Sequence, residues 1–173
     1  MSTGYDFDQA TLLELFLKIQ FPERNLRESA IIRDFLQVHI SEYQRFAFSV
    51  RVGQGTTPDP SHLPGVQKST IFSSQKRIDM MAWQGAQPFI FEVKERLNVY
   101  VLGQLQSYAH LWMEENPDAP EPALAAIVRY GDPDIERVLE ANGVDVYIYE
   151  PAADSGGDAA GRVPPDNPTP APE

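Results

Sequence analysis

The sequence predicts a mixed α/β fold, a central sheet with helices on its faces, and three observations predict it. Apolar residues recur at helical spacing near the start, they alternate with polar ones through the middle, and helix-like and strand-like segments then follow each other to residue 150. The resulting order is ααβββαβαβ.

The first helix spans residues 8–20, with Asp8 as N-cap and Leu12, Leu13, Phe16, Leu17 and Ile19 at helical spacing before Pro22. A second runs from about Arg24 to Ile40 on Ile31, Ile32, Phe35, Leu36 and Val38. In residues 45–53, Phe46, Phe48, Val50 and Val52 alternate with Arg45, Ala47, Ser49 and Arg51, which is a strand pattern. Residues 53–65, GQGTTPDPSHLPG, are a loop by composition. Two apolar runs, 71–83 and 88–94, flank Gln84, Gly85, Ala86 and Gln87 and predict a hairpin. Residues 98–115 are helical up to Pro117, 123–131 read as a buried strand, DPDIERVLEANG as a short helix closed by Gly143, and VDVYIYEP as the last strand.

The chain has 173 residues, no cysteine, 15 prolines and a formal charge of −11. One compact domain over residues 1–150 is expected, large enough for a core without staples. Residues 151–173 hold six prolines, three glycines, four acids and one base, so they are expected to be a disordered tail that accounts for −3 of the charge and leaves −8 on the body. Without cysteine there is no thiolate metal site and no cysteine nucleophile. No run reaches the ~18 apolar residues of a membrane helix, and the start lacks a signal-peptide pattern, so no membrane partner and a cytoplasmic location are expected. His39, His62 and His110 have no zinc-site spacing and read as surface or packing residues, and no Gly-x-Ser-x-Gly elbow is present.

The hairpin carries the chemistry. With its turn centred between Gly85 and Ala86, Asp79 falls opposite Glu92 and Arg77 opposite Lys94. Period 2 then turns Ile78, Met80, Ala82, Phe89, Phe91 and Val93 to one face, and Arg77, Asp79, Met81, Ile90, Glu92 and Lys94 to the other. Two carboxylates facing at roughly 5 Å repel unless a cation lies between them. Mg²⁺ suits such a pair, because it takes one or two carboxylates together with waters and phosphate oxygens. Lys94, on the same face, would then orient or deprotonate a water, or stabilise charge on a phosphate. The competing reading is an ordinary salt bridge on a solvated strand.

A third acid comes from a helical wheel, which centres Glu28 on the stripe of Ile31, Ile32, Phe35 and His39. Either it faces a partner or metal, or it complements the helix dipole from the first turn. Gln104 and Tyr108, four apart, share a face of the helix that follows the Glu-x-Lys strand.

Asp79, twelve intervening residues and Glu92-Val93-Lys94, between a helix bearing an acid and a helix bearing Gln104-x-x-x-Tyr108, resemble the PD-(D/E)xK nuclease superfamily, and the Gln/Tyr pair resembles the extra motif of its RecB-like exonuclease branch. The resemblance covers about residues 24–150 and implies a restriction-endonuclease-like αβββαβ core with a mixed central sheet. It implies Mg²⁺-dependent hydrolysis of DNA phosphodiesters, with Mn²⁺ as a substitute, in a phage, mobile-element, repair or defence setting. Asp79, Glu92 and the Val93 carbonyl would ligate the metal, Glu28 would complete the site through metal-bound water, Lys94 would be the catalytic lysine, and Gln104 and Tyr108 would position it, the waters or the phosphate. Ile78 stands where the motif has proline, and the glycine often seen upstream in that branch is absent.

Lys76, Arg77 and Arg96 are the candidate nucleic-acid contacts, within a modest basic group that also includes Arg45, Arg51, Lys68 and Lys94. With an acidic body and little chain beyond a minimal core, grip on DNA is expected to come from a partner protein, a homo-oligomer or a substrate end. The alternative from another class is a nuclease-like fold retained as a non-catalytic binding or assembly module.

Overall fold

A computed structural model describes residues 5–9, 11 and 26–150. Its elements are strand β1 (Tyr5–Asp8), helix α1 (Leu26–His39), a 3₁₀ turn (Ile40–Glu42), β2 (Arg45–Val52), α2 (Pro64–Ser74), β3 (Lys76–Gln84), β4 (Gln87–Arg96), α3 (Tyr100–Glu115), β5 (Ala123–Tyr130), α4 (Pro133–Ala141) and β6 (Val144–Ile148). The six strands form one mixed sheet in the order β1-β2-β3-β4-β5-β6. The first four are antiparallel, and β4, β5 and β6 run parallel through the crossovers α3 and α4. The succession α1-β2-β3-β4-α3-β5 is the predicted αβββαβ order, with α2 inserted between β2 and β3.

Two apolar layers sandwich the sheet. On one face Ile31, Ile32, Phe35 and Leu36 of α1 pack on Phe46, Phe48, Met80, Phe91 and Ile127. On the other, Val101, Leu105, Tyr108 and Trp112 of α3, with Leu139 of α4, pack on Ala47, Met81, Ile90, Ala126 and Val128. The apolar stripe of each helix is what fixes it to its face. Asp132 caps α4 by accepting from the Asp134 and Ile135 amides at 3.1 and 3.3 Å. Among the described residues no helix is long and apolar enough to cross a membrane.

The helix expected over 8–20 lies largely outside the described residues; within them, Asp8 Oδ1 accepts from the Thr11 amide at 2.7 Å, the capping contact expected of it. The tail 151–173 lies outside them altogether.

Three expectations are corrected. Residues 71–75 are not strand: Pro64–Ser74 is a helix, with proline in its first turn and no buried residue, and β3 begins only at Lys76. Ile71 and Phe72 gave the start of that run a strand-like composition, but with no apolar layer above it the local helical bonds win. Tyr5–Asp8, not read as an element, adds an edge strand to β2.

The third correction concerns strand faces. The β3–β4 ladder has the predicted register from Gln84↔Gln87 to Met80↔Phe91 and ends there, so the Asp79/Glu92 and Arg77/Lys94 pairs lie just past its last rung. Ile78 leaves the face of Met80 and packs with Val50 in the α3-side layer. The cause lies in β2, where Ser49 adopts φ 56° and the β2–β3 ladder passes from Phe48↔Met80 to Val50↔Ile78 without a Ser49–Asp79 rung. A left-handed residue inside a strand resets the alternation and costs roughly 1–2 kcal/mol. This strained step lies beside Asp79.

Candidate active site

An open cleft of about 490 Å³ lies where β3 and β4 part. Glu28 from α1, Asp79 from β3, Glu92 and Lys94 from β4, and Gln104 and Tyr108 from α3 all line it. Four distant stretches of sequence thus contribute to one cavity.

Its floor is two carboxylates that are almost fully buried, Asp79 at 4% exposure and Glu92 at 1%. Buried acids need partners. Asp79 Oδ2 accepts from the Val93 amide at 2.9 Å, which replaces the rung missing from the ladder. Since the N–H and C=O of an extended residue point to the same neighbouring strand, the Val93 carbonyl lies on the β3 side as well. Glu92 Oε1 lies 2.5 Å from Lys94 Nζ, a buried carboxylate against a partly exposed ammonium.

Four of these groups feel one another electrostatically. For Lys94, burial is the largest single effect and favours the neutral amine, but the charge and hydrogen bond of Glu92, with the charge of Asp79, outweigh it and hold the pKa above the ordinary lysine value. Burial raises the Tyr108 phenol, Glu92 adds to the rise, and a hydrogen bond from Gln104 Nε2 to the Tyr108 hydroxyl at 3.2 Å opposes it. Tyr108 and Gln104 are therefore bonded along α3, as their spacing predicts.

Glu28 lines the wall of the cleft, half-buried, while the next residue, Ser29, is fully buried. Among the described residues no group of three or more His, Cys, Asp or Glu side chains is gathered closely enough to hold a metal ion. A hard cation there would have to take two carboxylates with waters filling the remaining positions, not a three-carboxylate cage.

Of the three predicted nucleic-acid contacts, Lys76 and Arg77 line the cleft. Arg96 is not among the lining residues; its guanidinium stacks on Tyr130, 4.6 Å from the ring centroid. Arg45 likewise sits over Trp83 at the other end of β2. The histidines have no part in the site: His39 is buried, bonded to Glu42 at 2.7 Å and stacked on Phe35, and His110 pairs with Glu114 on the surface.

Sequence reasoning missed Phe72, Ser73 and Gln75, which form the opposite wall with Arg51. They belong to the end of α2 and the link to β3. One local signal was available. Gly55, at φ 70°, brings the preceding loop so close to α2 that a Cβ there would lie 2.5 Å from the Ile71 carbonyl oxygen. The Thr56 amide then donates to Ser74 Oγ at 2.7 Å, and Gln75 Nε2 donates to the Gly53 carbonyl at 2.7 Å. A glycine-dependent loop against a helix end is how this wall is held.

The chain matches no family model and no curated protein. Among solved structures it is similar to a repair endonuclease from Pyrococcus abyssi, with 14% identity and a TM-score of 0.44 over 78% of this chain and 50% of that one. It is also similar to AF1548, a protein of unknown function, with 13% identity and a TM-score of 0.41 over 72% of this chain and 59% of that one. The chain thus spans about half the length of the first and under two thirds of the second.

Proposed function

We propose that this chain is a Mg²⁺-dependent deoxyribonuclease whose centre is Asp79, Glu92 and Lys94. The observation that carries the reading is the pair of nearly inaccessible carboxylates, beside a lysine, at the floor of a solvent-open cleft. A structural salt bridge has no need of a second acid of the same sign or of an opening to water. Mg²⁺, when bound, would supply Lewis-acid activation of a phosphate oxygen and of water. Asp79, Glu92 and the Val93 carbonyl would hold it, with Asp79 oriented by the Val93 amide. Lys94 would carry the positive charge that faces the scissile phosphate as negative charge grows on its oxygens. Gln104 and Tyr108 would fix the Lys94 side of the cleft, and Glu28 would act across it through water.

A second reading, a nuclease-like fold kept as a binding module, draws on the third acid's not joining the other two in one cluster. One assay separates the readings: labelled linear, nicked and single-stranded DNA with Mg²⁺, Mn²⁺ or EDTA, using wild type, Asp79→Asn and Lys94→Met. The nuclease reading requires metal-dependent cleavage that both variants lose by about 10²-fold or more. Cleavage unchanged in the variants, or none by folded wild type in the presence of its natural partner, would sink it.

A further inference from the structure

The wall contributed by α2 has a chemistry of its own. None of the residues of α2 is buried, yet the helix is held in place by the Gly55 loop, and its Phe72 is 44% exposed on the cleft. The Arg51 guanidinium lies over the Phe72 ring, 4.4 Å from its centroid. An aromatic ring left half-open to solvent, backed by a guanidinium and facing a charged cleft, is a stacking platform rather than a core residue. Beneath it Arg51 and Arg77 are directly opposite partners in the β2–β3 ladder, and Val52 faces Lys76. Arg77 and Lys76 thus bring two cationic side chains to the cleft beside the ring.

Resting on the nuclease reading above, we infer that the cleft takes single-stranded DNA, with one base stacked on the Phe72–Arg51 plate and the adjoining phosphates held by Arg77 and Lys76. The spacing of roles matches what unpaired strands require, a cationic track for the backbone and an aromatic face for a base of any identity. Stacking decides against an intact duplex. A base inside a duplex already has its faces covered by its neighbours, so it meets an aromatic plate only after being extruded, whereas an unpaired base is free to lie on it.

The test is fluorescence anisotropy with a labelled thymidine 12-mer and a blunt duplex of the same length. Ca²⁺ replaces Mg²⁺ there, and parallel cleavage assays contain Mg²⁺. The proteins are wild type, Phe72→Leu and Phe72→Trp, whose thermal stability is expected to match wild type because α2 contributes nothing to the core. Wild type should bind the single strand at least 10-fold more tightly than the duplex. Phe72→Leu should weaken single-strand binding about 10-fold or more and leave duplex binding unchanged, and Phe72→Trp should restore it. Tighter duplex binding, or a Phe72→Leu variant within twofold of wild type on the single strand, overturns the inference. Cleavage with no Phe72 dependence of binding refutes the platform and leaves the nuclease reading standing; Phe72-dependent binding without cleavage does the reverse.

Discussion

Asp79 performs two tasks that separate by substitution. Its carboxylate accepts the buried Val93 amide at 2.9 Å, and its charge faces both Glu92 and Lys94. Asp79→Asn keeps an oxygen for the amide and removes the charge; Asp79→Ala removes both. A charge pair at about 5 Å and an effective dielectric of ~20 is worth about 3 kcal/mol in either sign, so repulsion from a like charge and attraction to Lys94 offset each other. Without metal, Asp79→Asn should therefore stay within about 1 kcal/mol of wild type. Asp79→Ala leaves an orphaned buried N–H and should cost about 1–3 kcal/mol. For a domain of this size that lowers Tm by roughly 2–12 °C. Mg²⁺ at tenfold its Kd should then stabilise wild type by about 1.4 kcal/mol and neither variant. Differential scanning fluorimetry in EDTA and in Mg²⁺ reads all of this. Asn falling as far as Ala would refute the hydrogen-bond argument, and equal Mg²⁺ shifts in all three proteins would refute ligation by Asp79.

Lys94→Met strands Glu92, 1% exposed, without its ion-pair partner and should destabilise by about 3–5 kcal/mol, whereas the double variant Glu92→Gln/Lys94→Met should recover most of that in urea denaturation. Gly55→Ala forces a left-handed alanine against the Ile71 carbonyl; it should cost about 1–2 kcal/mol or more and loosen the α2 end, read as faster amide exchange at Ser73–Gln75. Burial, then Asp145 and Glu42, push the Tyr147 phenol up to about 12. Because this raises the folded pKa above the unfolded ~10, the stability it brings is full below pH 10 and is lost as pH rises towards 12, by about 1–2 kcal/mol after solvent screening of the part-exposed ring. Tyr147→Phe should flatten that alkaline limb in urea titrations at pH 8, 10 and 11.5; an unchanged slope would contradict the assignment.

The hairpin register was legible because a short turn with glycine at its centre admits few pairings, and Met80↔Phe91 follows from it. Glu28 was legible because helical period alone sets its bearing, and it does line the cleft. Period 2 failed at Ile78 because the reset originates in Ser49, a residue whose left-handed backbone nothing in the surrounding Phe-Ser-Val pattern announces. The α2 wall failed for the opposite reason: a helix without a buried face leaves no amphipathic signature, so the Phe72 platform appears only once the loop at Gly55 has folded it over the cleft. Periodicity reports burial, and this part of the site is built from residues that are not buried.

The central claim is that Asp79 and Glu92 share a divalent cation. Crystals soaked in Mn²⁺ and measured for anomalous scattering test it directly. The account predicts a peak between the two carboxylates with oxygen ligands at about 2.0–2.2 Å, lost in Asp79→Asn crystals. A map with no peak at these carboxylates, or with Lys94 still closed on Glu92 and manganese bound elsewhere, would contradict it.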